Sequence, residues 1–234
     1  GATVLFAETP ADINSLVLEI AAKHRVAKII KSKSMVSEES ALDHAIEAAG
    51  LTVVETDLGE YILQINDYEP PSHIIGPALH KSKEEVAELF HKAHGTPVKT
   101  GIEELCLEAL GVLRQHYLTA DMGISGGNFF LAETGSVVLV TNAGNGTLAT
   151  TLPRVPVAID HRRGAGWRLG GARERVGLGV DGVILPAHLE PVDRPDHGRQ
   201  RAPVGLVAHE ATAARNRSSR SRTPSTHAPE RGRR

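Results

Sequence analysis

The sequence predicts an α/β domain with a mostly parallel sheet that is flanked by helices and followed by a hairpin. Over the first 150 residues, short runs of β-branched residues alternate with helical patterns. This alternation is typical of parallel strands joined by helices on both faces of a sheet. Hydrophobic residues make up 41% of the chain and aromatic residues only 3%, so the core must consist mainly of Val, Ile, Leu and Ala. The last two strand-like runs lie close together, which indicates a hairpin at or near one edge.

The predicted elements follow one another with short connections. Strands are predicted at residues 3–6, 27–30, 51–54, 73–75, 121–132 and 136–141. Helices are predicted at residues 10–21, 37–49, 82–94 and 101–118, because apolar residues recur there at spacings of three and four. Ser82 precedes Glu85 by three residues, which is the spacing of a capping box. Residues 133–135 supply the turn of the predicted hairpin.

The composition changes sharply after residue 153. Residues 1–153 contain eight Lys and two Arg, whereas residues 154–234 contain sixteen Arg and no Lys. We therefore predict a partial α/β domain at 1–153, an atypical segment at 154–193 and a disordered Arg-rich tail at 194–234. Three explanations of this region are open: a solvated basic tail, an Arg-rich arm that binds nucleic acid, or translation of the end of the gene in a shifted frame. Aromatic residues are not interleaved with the arginines, so we expect no nucleic-acid partner.

Composition also excludes several classes of protein. The net charge is −2, which provides no general field to attract nucleic acid or an anionic membrane. The single cysteine, Cys106, rules out a disulfide within the chain and a four-cysteine zinc or iron–sulfur site. No apolar run reaches the ~20 residues that a membrane span needs, and we expect no charged-then-apolar leader. We therefore expect no membrane span and a cytoplasmic location.

Polar residues gather where the predicted strands end, which is where doubly wound sheets bind their ligands. Lys31, Ser32 and Lys33 follow the strand at 27–30 and form a candidate site for a phosphate or carboxylate. A solvated loop with a helix cap is the alternative. Acidic residues, among them Glu60, follow the strand at 51–54. Beside the lysines they would form a mixed-charge pocket suited to acid–base chemistry, whereas surface ion pairs are the alternative.

Four histidines are considered as metal ligands. His73 and His80 bracket a predicted strand, and they meet only if the loop between them folds back. We interpret them as one packed and one solvated side chain. His91 and His94 lie one helical turn apart, but no nearby acid or cysteine completes a ligand set, so both are predicted to lie on the surface. No metal site is predicted.

The most informative polar region lies between residues 121 and 147. Glycines 123, 126 and 127 stand where a strand prefers side chains, which indicates close approach of the backbone to a ligand or a neighbouring chain. The region has neither the Gly-Lys-Ser/Thr ending of a P-loop nor the spacing of a dinucleotide fingerprint. Glu133, on a tight turn, is a candidate base or nucleophile, although Asn-Gly steps in this region are also simply good turns. The other candidate site residues here are Asn128, Thr134, Gly135, Asn142 and Asn145.

These clusters recur, in the same order, in a known family. The matching blocks are residues 31–39 (KSKSMVSEE), 55–61 (ETDLGEY), 71–80 (PSHIIGPALH), 120–140 (ADMGISGGNFFLAETGSVVLV) and 141–153 (TNAGNGTLATTLP). Over residues 1–153 the sequence resembles the lactate utilization protein B family, which carries the LUD (lactate utilization) domain. The resemblance implies a fold related to the ribose-phosphate isomerase and CoA-transferase group. It also implies a role in oxidising L-lactate to pyruvate within a three-protein system.

The resemblance further implies a C-terminal ferredoxin-like module that holds [4Fe–4S] clusters. The sequence departs from the family there, because its tail has no cysteine, and we expect no cofactor in this chain. By fold analogy alone, Glu133 occupies a turn like that of the reactive glutamate of CoA transferases. We expect it to act instead as a base or an orienting group near a carboxylate that Lys31 and Lys33 bind.

Two functions of different classes follow. The first is a component of an iron–sulfur system that oxidises L-lactate, with other lactate utilization subunits and a small carboxylate as partners. Glu133 and Glu60 are then catalytic, and the lysine loop, His73 and the asparagines bind substrate. The second is a non-catalytic scaffold that docks partner subunits through the glycine-rich hairpin edge. A homo-oligomer is a further expectation that is not tied to either function. Convergence of Lys31, Glu60 and Glu133 on one pocket favours the first function, and a flat, exposed apolar edge at residues 123–140 favours the second.

Overall fold

Two sheets and seven helices make up the part of the chain that the structure describes. The computed structural model describes residues 2–73, 76–131, 136–140, 144–161, 182–185 and 204–209. The helices are α1 (Pro10–Lys23), α2 (Met35–Glu39), α3 (Leu42–Ala48), α4 (Leu58–Gln64), α5 (Lys83–His94), α6 (Ile102–Thr119) and α7 (Asn145–Thr151). The strands are β1 (Ala2–Ala7), β2 (Lys28–Lys31), β3 (Thr52–Glu55), β4 (Met122–Gly126), β5 (Phe129–Leu131), β6 (Ser136–Val140), β7 (Val155–His161), β8 (Gly182–Leu185) and β9 (Val204–His209).

The larger sheet has six strands in the order β1-β9-β7-β4-β2-β3. Strands β7, β4, β2 and β3 are parallel, and β9 lies antiparallel between β1 and β7. The smaller sheet is antiparallel, in the order β5-β6-β8. The predicted α/β class with a mostly parallel sheet is confirmed.

Helices cover both faces of the larger sheet, and each face has its own apolar core. Alternate residues of one strand point to opposite faces, so Ile29 and Ile30 of β2 belong to different cores. We call the two sides the α1–α3 face and the α4–α7 face. The first is packed by residues such as Val17 and Leu42, and the second by residues such as Phe90 and Ala149.

Local sequence signals account for where several helices begin. The predicted capping box at α5 is confirmed, because the Ser82 hydroxyl accepts from the Glu85 amide at 3.2 Å and the Glu85 carboxylate accepts from the Ser82 amide at 2.7 Å. Thr9 and Asp12 form a second capping box, at the start of α1. Reciprocal bonds of this kind satisfy amides that have no partner within the helix.

Three predicted elements are wrong in detail. The single helix expected at residues 37–49 is two helices, α2 and α3, because Ala41 has a left-handed backbone with φ +50° and interrupts the helical hydrogen bonds. The single strand expected at 121–132 is divided between β4 and β5, which belong to different sheets. The hairpin strands pair as expected, but they lie in the smaller sheet. His73 lies in a loop rather than a strand, and residues 74–75 are outside the described residues.

Part of the Arg-rich region contributes to the sheets. Strand β9 lies inside the segment that we predicted to be a disordered tail. Its sequence, Val-Gly-Leu-Val-Ala-His, is mostly apolar, as is typical of an interior strand, and it pairs with β1 and with β7. Strand β7 is likewise an interior strand beyond residue 153. The domain boundaries themselves, and the shifted frame, stay predictions.

Candidate functional site

The candidate site lies at the carboxyl ends of β2 and β3. These strands have the sequences Lys-Ile-Ile-Lys and Thr-Val-Val-Glu and pair in parallel, with Lys31 directly opposite Glu55. Both side chains therefore project from the same face of the sheet, at its carboxyl edge. Helices α2 and α3 lie over this face, so the pair is covered and only 1% of Lys31 and 5% of Glu55 is exposed.

Three oxygen-bearing side chains surround the Lys31 ammonium. It forms a close ion pair with Glu55, lies 3.6 Å from Asp43 Oδ1 of α3 and donates to Ser37 Oγ of α2 at 3.3 Å. An ammonium has three N–H donors; two have hydrogen-bond partners here, Glu55 and Ser37, whereas Asp43 Oδ1 lies beyond hydrogen-bond distance and attracts the ammonium through its charge alone. Lys31 is almost completely buried among these groups, and its charge holds the two carboxylates in place.

Lys33 lies beside this buried group and is accessible. Its ammonium is 2.7 Å from Glu60 Oε1 of α4, and a third of its side chain is exposed. Glu38 of α2 hydrogen-bonds the Glu60 carboxyl. We call the six residues around this point the carboxylate–lysine cluster; they are Lys31, Lys33, Glu38, Asp43, Glu55 and Glu60. They line a cavity of about 490 Å³ whose wall also includes His44 and Tyr68.

The cluster is rich in acid, and this sets its protonation. Four carboxyl groups face two ammonium groups, and buried like charges disfavour full ionisation. Burial raises the pKa of Glu55 well above its usual range, although Lys31 opposes this. Burial, together with the hydrogen bond and charge of Glu60, raises the pKa of Glu38 to about 7. Burial is the largest single effect on Lys33 and lowers its pKa, but the bond to Glu60 and the charges of the nearby carboxylates together outweigh it, so the net pKa is raised.

This arrangement has the parts of an acid–base site. Lys33 supplies a fixed positive charge at the cavity, and the pKa of about 7 lets the Glu38 carboxyl exchange its proton near neutral pH. A general acid or base works best with a pKa near the operating pH. One oxygen each of Glu55 and Glu60 is buried without a hydrogen-bond partner among the described residues, so the cluster can still accept bonds from a bound molecule.

The other predicted site residues are divided between this cavity and the neighbouring loops. His73 lines the rim of the cavity and its Nδ1 accepts from the Gly76 amide at 3.3 Å. Asn128 is exposed, and its Oδ1 accepts from the Val140 amide at 2.7 Å, which is a turn-forming contact. Asn145 is the first residue of α7. Ser32 is buried directly beyond β2. The remaining four lie outside the described residues: Glu133, Thr134, Gly135 and Asn142.

Sequence reasoning missed two members of the cluster and misplaced a histidine. Glu38 and Asp43 were not selected, although their spacing from Lys31 places them on the helices that follow β2. His94, predicted to lie on the surface, has only 6% of its side chain exposed. Its Nδ1 hydrogen-bonds Glu108 of α6 at 2.8 Å and its Nε2 hydrogen-bonds the Tyr61 hydroxyl of α4 at 2.8 Å. That prediction is wrong because the acid that holds His94 comes from a different helix.

Metal-site and membrane features were also sought in the structure. Across the described ranges, no three His, Cys, Asp or Glu side chains are grouped to bind a metal ion. His80 instead hydrogen-bonds Glu69 at 2.8 Å. None of the seven helices described here combines the length and the apolar character that crossing a membrane requires.

The fold and the site together define a doubly wound α/β domain with a candidate acid–base site at the carboxyl edge of its parallel strands. The profile of the LUD domain family matches residues 1–162. The chain belongs to the LUD domain family. No solved structure matches it.

Proteins named lactate utilization protein B are similar to this chain over the same region. Over 159 residues it is 51% identical to the protein from Geobacillus thermodenitrificans, 50% to that from Geobacillus kaustophilus and 51% to that from Lysinibacillus sphaericus. Each alignment covers 68% of this chain and 33% of the relative. The chain thus spans about a third of the length of these relatives and is homologous to them over the LUD region, which makes it similar to a component of lactate utilization.

Proposed function

We propose that this chain binds a small carboxylate, L-lactate or pyruvate, as the LUD component of an iron–sulfur system that oxidises L-lactate to pyruvate. The observation that carries the proposal is the position of Lys33, a partly exposed cation beside the carboxyl groups of Glu38 and Glu60 in a cavity of about 490 Å³. The names of the relatives supply the substrate class.

The residues of the cluster have separate roles in this proposal. Lys33 binds the substrate carboxylate, because its ammonium is accessible and Glu60 leaves part of its hydrogen-bonding capacity free. Lys31 is a positioning residue that keeps Glu55 and Asp43 in place. Glu60, one oxygen of which is buried without a hydrogen-bond partner among the described residues, accepts the proton of the substrate hydroxyl. Glu133 stays in the proposal as a second candidate base, and no geometry is assigned to it.

Oxidation of lactate to pyruvate also breaks the Cα–H bond and so releases a second proton and two electrons; in our proposal this chain does not carry the electrons, and the Cα proton leaves with them to the electron-accepting part of the system. A [4Fe–4S] cluster needs four thiolate ligands, and the sequence has one cysteine, which is exposed. The residues present do not fit a cluster, so the clusters are proposed to belong to the part of the family that lies beyond the aligned third. Other lactate utilization subunits are the proposed partners. The relation to the ribose-phosphate isomerase and CoA-transferase group likewise stays a proposal.

The scaffold function has less support from the structure. It requires an exposed apolar edge at residues 123–140, but β4 is an interior strand of the larger sheet. Val137, Val138 and Leu139 of β6 are buried. In contrast, Lys31 and Glu60 both line the cavity, as the substrate-binding function requires.

Titration of the purified chain with L-lactate and pyruvate, followed by thermal unfolding and calorimetry, tests the proposal. A ligand that binds only the folded state stabilises it by about 2.7 kcal/mol at a hundred times its dissociation constant. We expect Lys33→Met to weaken binding by at least roughly tenfold, which corresponds to the loss of one charge-assisted hydrogen bond. The matched control is Lys83→Met, because Lys83 only pairs with the exposed Glu84.

The pH dependence of binding provides a second measure. A protonated Glu38 removes negative charge from the cavity, so affinity for an anionic acid should fall as pH rises through about 7. Glu38→Gln should abolish this dependence. Absence of binding to either acid by a chain that melts cooperatively would refute the proposed function, and equal binding by Lys33→Met would remove Lys33 from it.

A further inference from the structure

The strand order identifies a second place where a ligand is expected. From β2 the chain passes to β3 on one side, and it then crosses to β4 on the other side of β2. The topological switch point therefore lies between β2 and β4. In open α/β sheets, ligands bind beyond the carboxyl ends of the strands at this point. The carboxylate–lysine cluster lies instead at the ends of β2 and β3.

Two serines meet at the switch point. Lys31 pairs with Ile124, so the next residues along the two strands, Ser32 and Ser125, are neighbours. The Ser32 amide donates to the Ile124 carbonyl at 2.8 Å, which continues the pairing to this position. Because residues alternate between faces, both hydroxyls are on the α4–α7 face, opposite to the Lys31 ammonium.

Both hydroxyls are buried without a hydrogen-bond partner. Ser32 is 3% exposed and Ser125 is 0% exposed, and neither Oγ has a partner among the described residues. Buried polar groups are nearly always hydrogen-bonded, because an unpaired one loses its bonds to water and gains nothing. Two adjacent exceptions among the described residues mark the switch point as a candidate binding site, at which a bound molecule supplies the missing partner.

The loops beside the serines permit such a site. A Cβ on Gly126 would lie 3.3 Å from the Lys33 carbonyl oxygen, so glycine allows the backbone after β4 to touch the loop after β2.

We propose that Ser32 and Ser125 form a pair of donors that binds an oxygen of the small acid, its carboxylate or carbonyl group, at the topological switch point. The inference rests on the proposed function for the class of ligand, and it adds Ser125 as a binding residue. Each hydroxyl donates one bond and stays neutral, so the pair suits an oxygen acceptor and adds no charge to the crevice.

Single substitutions test the pair with L-lactate and pyruvate as probes. Ser125→Ala and Ser32→Ala remove hydroxyls that have no partner to lose, so without ligand both variants should melt at or above the wild-type temperature. With ligand, each should bind between about tenfold and a hundredfold more weakly, the loss expected for a bond to a charged acceptor. The control is Ser40→Ala, because the buried Ser40 hydroxyl donates to the Ser37 carbonyl at 3.0 Å. It should melt earlier and bind normally.

The outcomes separate this inference from the proposed function. If the wild-type chain binds neither acid, both are refuted. If it binds and Ser125→Ala binds equally well, only the serine pair is refuted. A Ser125→Ala variant that melts as early as Ser40→Ala with unchanged affinity shows that the hydroxyl bonds an internal water, and this also overturns the inference.

Discussion

Replacement of Lys31 by methionine tests the centre of the carboxylate–lysine cluster. The substitution keeps most of the side-chain volume but leaves the carboxylates of Glu55 and Asp43 buried without a cation. Removal of one member of a buried ion pair costs about 3–5 kcal/mol, because the remaining charge is uncompensated. For a chain of this length, that loss lowers the melting temperature by roughly 6–20 °C. Such a loss is a large fraction of the stability of an ordinary domain.

The assay is urea denaturation followed by circular dichroism, with Lys28→Met as the matched control. Lys28 is on the same strand and is partly exposed, and its ammonium donates to the Thr119 hydroxyl at 2.8 Å. Its replacement should change the free energy of unfolding by about 0.5 kcal/mol or less. In the Lys31→Met background, Glu55→Gln should restore part of the stability, because it removes a buried charge that has lost its partner.

The pH dependence of the Lys31→Met variant has a defined sign. Burial raises the pKa of Glu55 in the folded state, so above its unfolded pKa the native chain binds more protons than the unfolded chain. Stability contributed by this group therefore falls as pH rises. Lys31 lowers the pKa of Glu55, and its removal enlarges the effect, so the variant should lose more stability at about pH 8 than at about pH 5. If Lys31→Met lowers the free energy of unfolding by no more than Lys28→Met does, at both pH values, the buried ion pair is refuted.

Three further substitutions test other parts of the structure. Despite its burial, Glu108 has a pKa lowered to about 2 by its hydrogen bonds. The stability that it contributes is therefore present above its ordinary pKa of 4.5 and is lost as pH falls towards 2. In melting experiments, Glu108→Gln should reduce the fall of the melting temperature between these pH values. Gly123→Ala places a Cβ 1.7 Å from the Ala149 carbonyl oxygen and should cost about 3 kcal/mol or more by denaturation, whereas Gly111→Ala, which meets nothing within 4 Å, should be neutral or stabilising. Ser82→Ala should cost about 1 kcal/mol through loss of the capping box, and an unchanged urea midpoint would contradict the cap.

The parallel strands and their carboxyl edge could be predicted because the signals for them are local. Lys31 and Glu55 each follow two buried β-branched residues, and parallel pairing then brings both to the same edge. The burial of Lys31 could not be predicted in this way. It depends on Asp43, which reaches the ammonium only because the chain turns at Ala41 and begins a second helix.

Contacts between distant segments account for the other differences. His94 gave no local sign of burial, since its partner Glu108 is fourteen residues away on α6. The run at 121–132 reads as one strand because nothing within it marks a change of sheet except the glycines. Strand β4 pairs with β7, whereas β5 pairs with β6 in the other sheet. Both partner strands come later in the sequence, so the run itself does not show the division.

The alternation of side chains along β2 explains why the carboxylate–lysine cluster and the serine pair lie on opposite faces of the sheet. Lys31 faces α2 and α3 with Ile29, whereas Ser32 faces the opposite side with Ile30. A slip of one residue would move the ammonium into the apolar core on the α4–α7 face and bring Ser32 against the carboxylates. Since an unpaired buried charge is much more costly than an unpaired hydroxyl, Glu55 and Asp43 fix the register of β2. The same ion pair that holds the charged cavity therefore also places Ser32 beside Ser125.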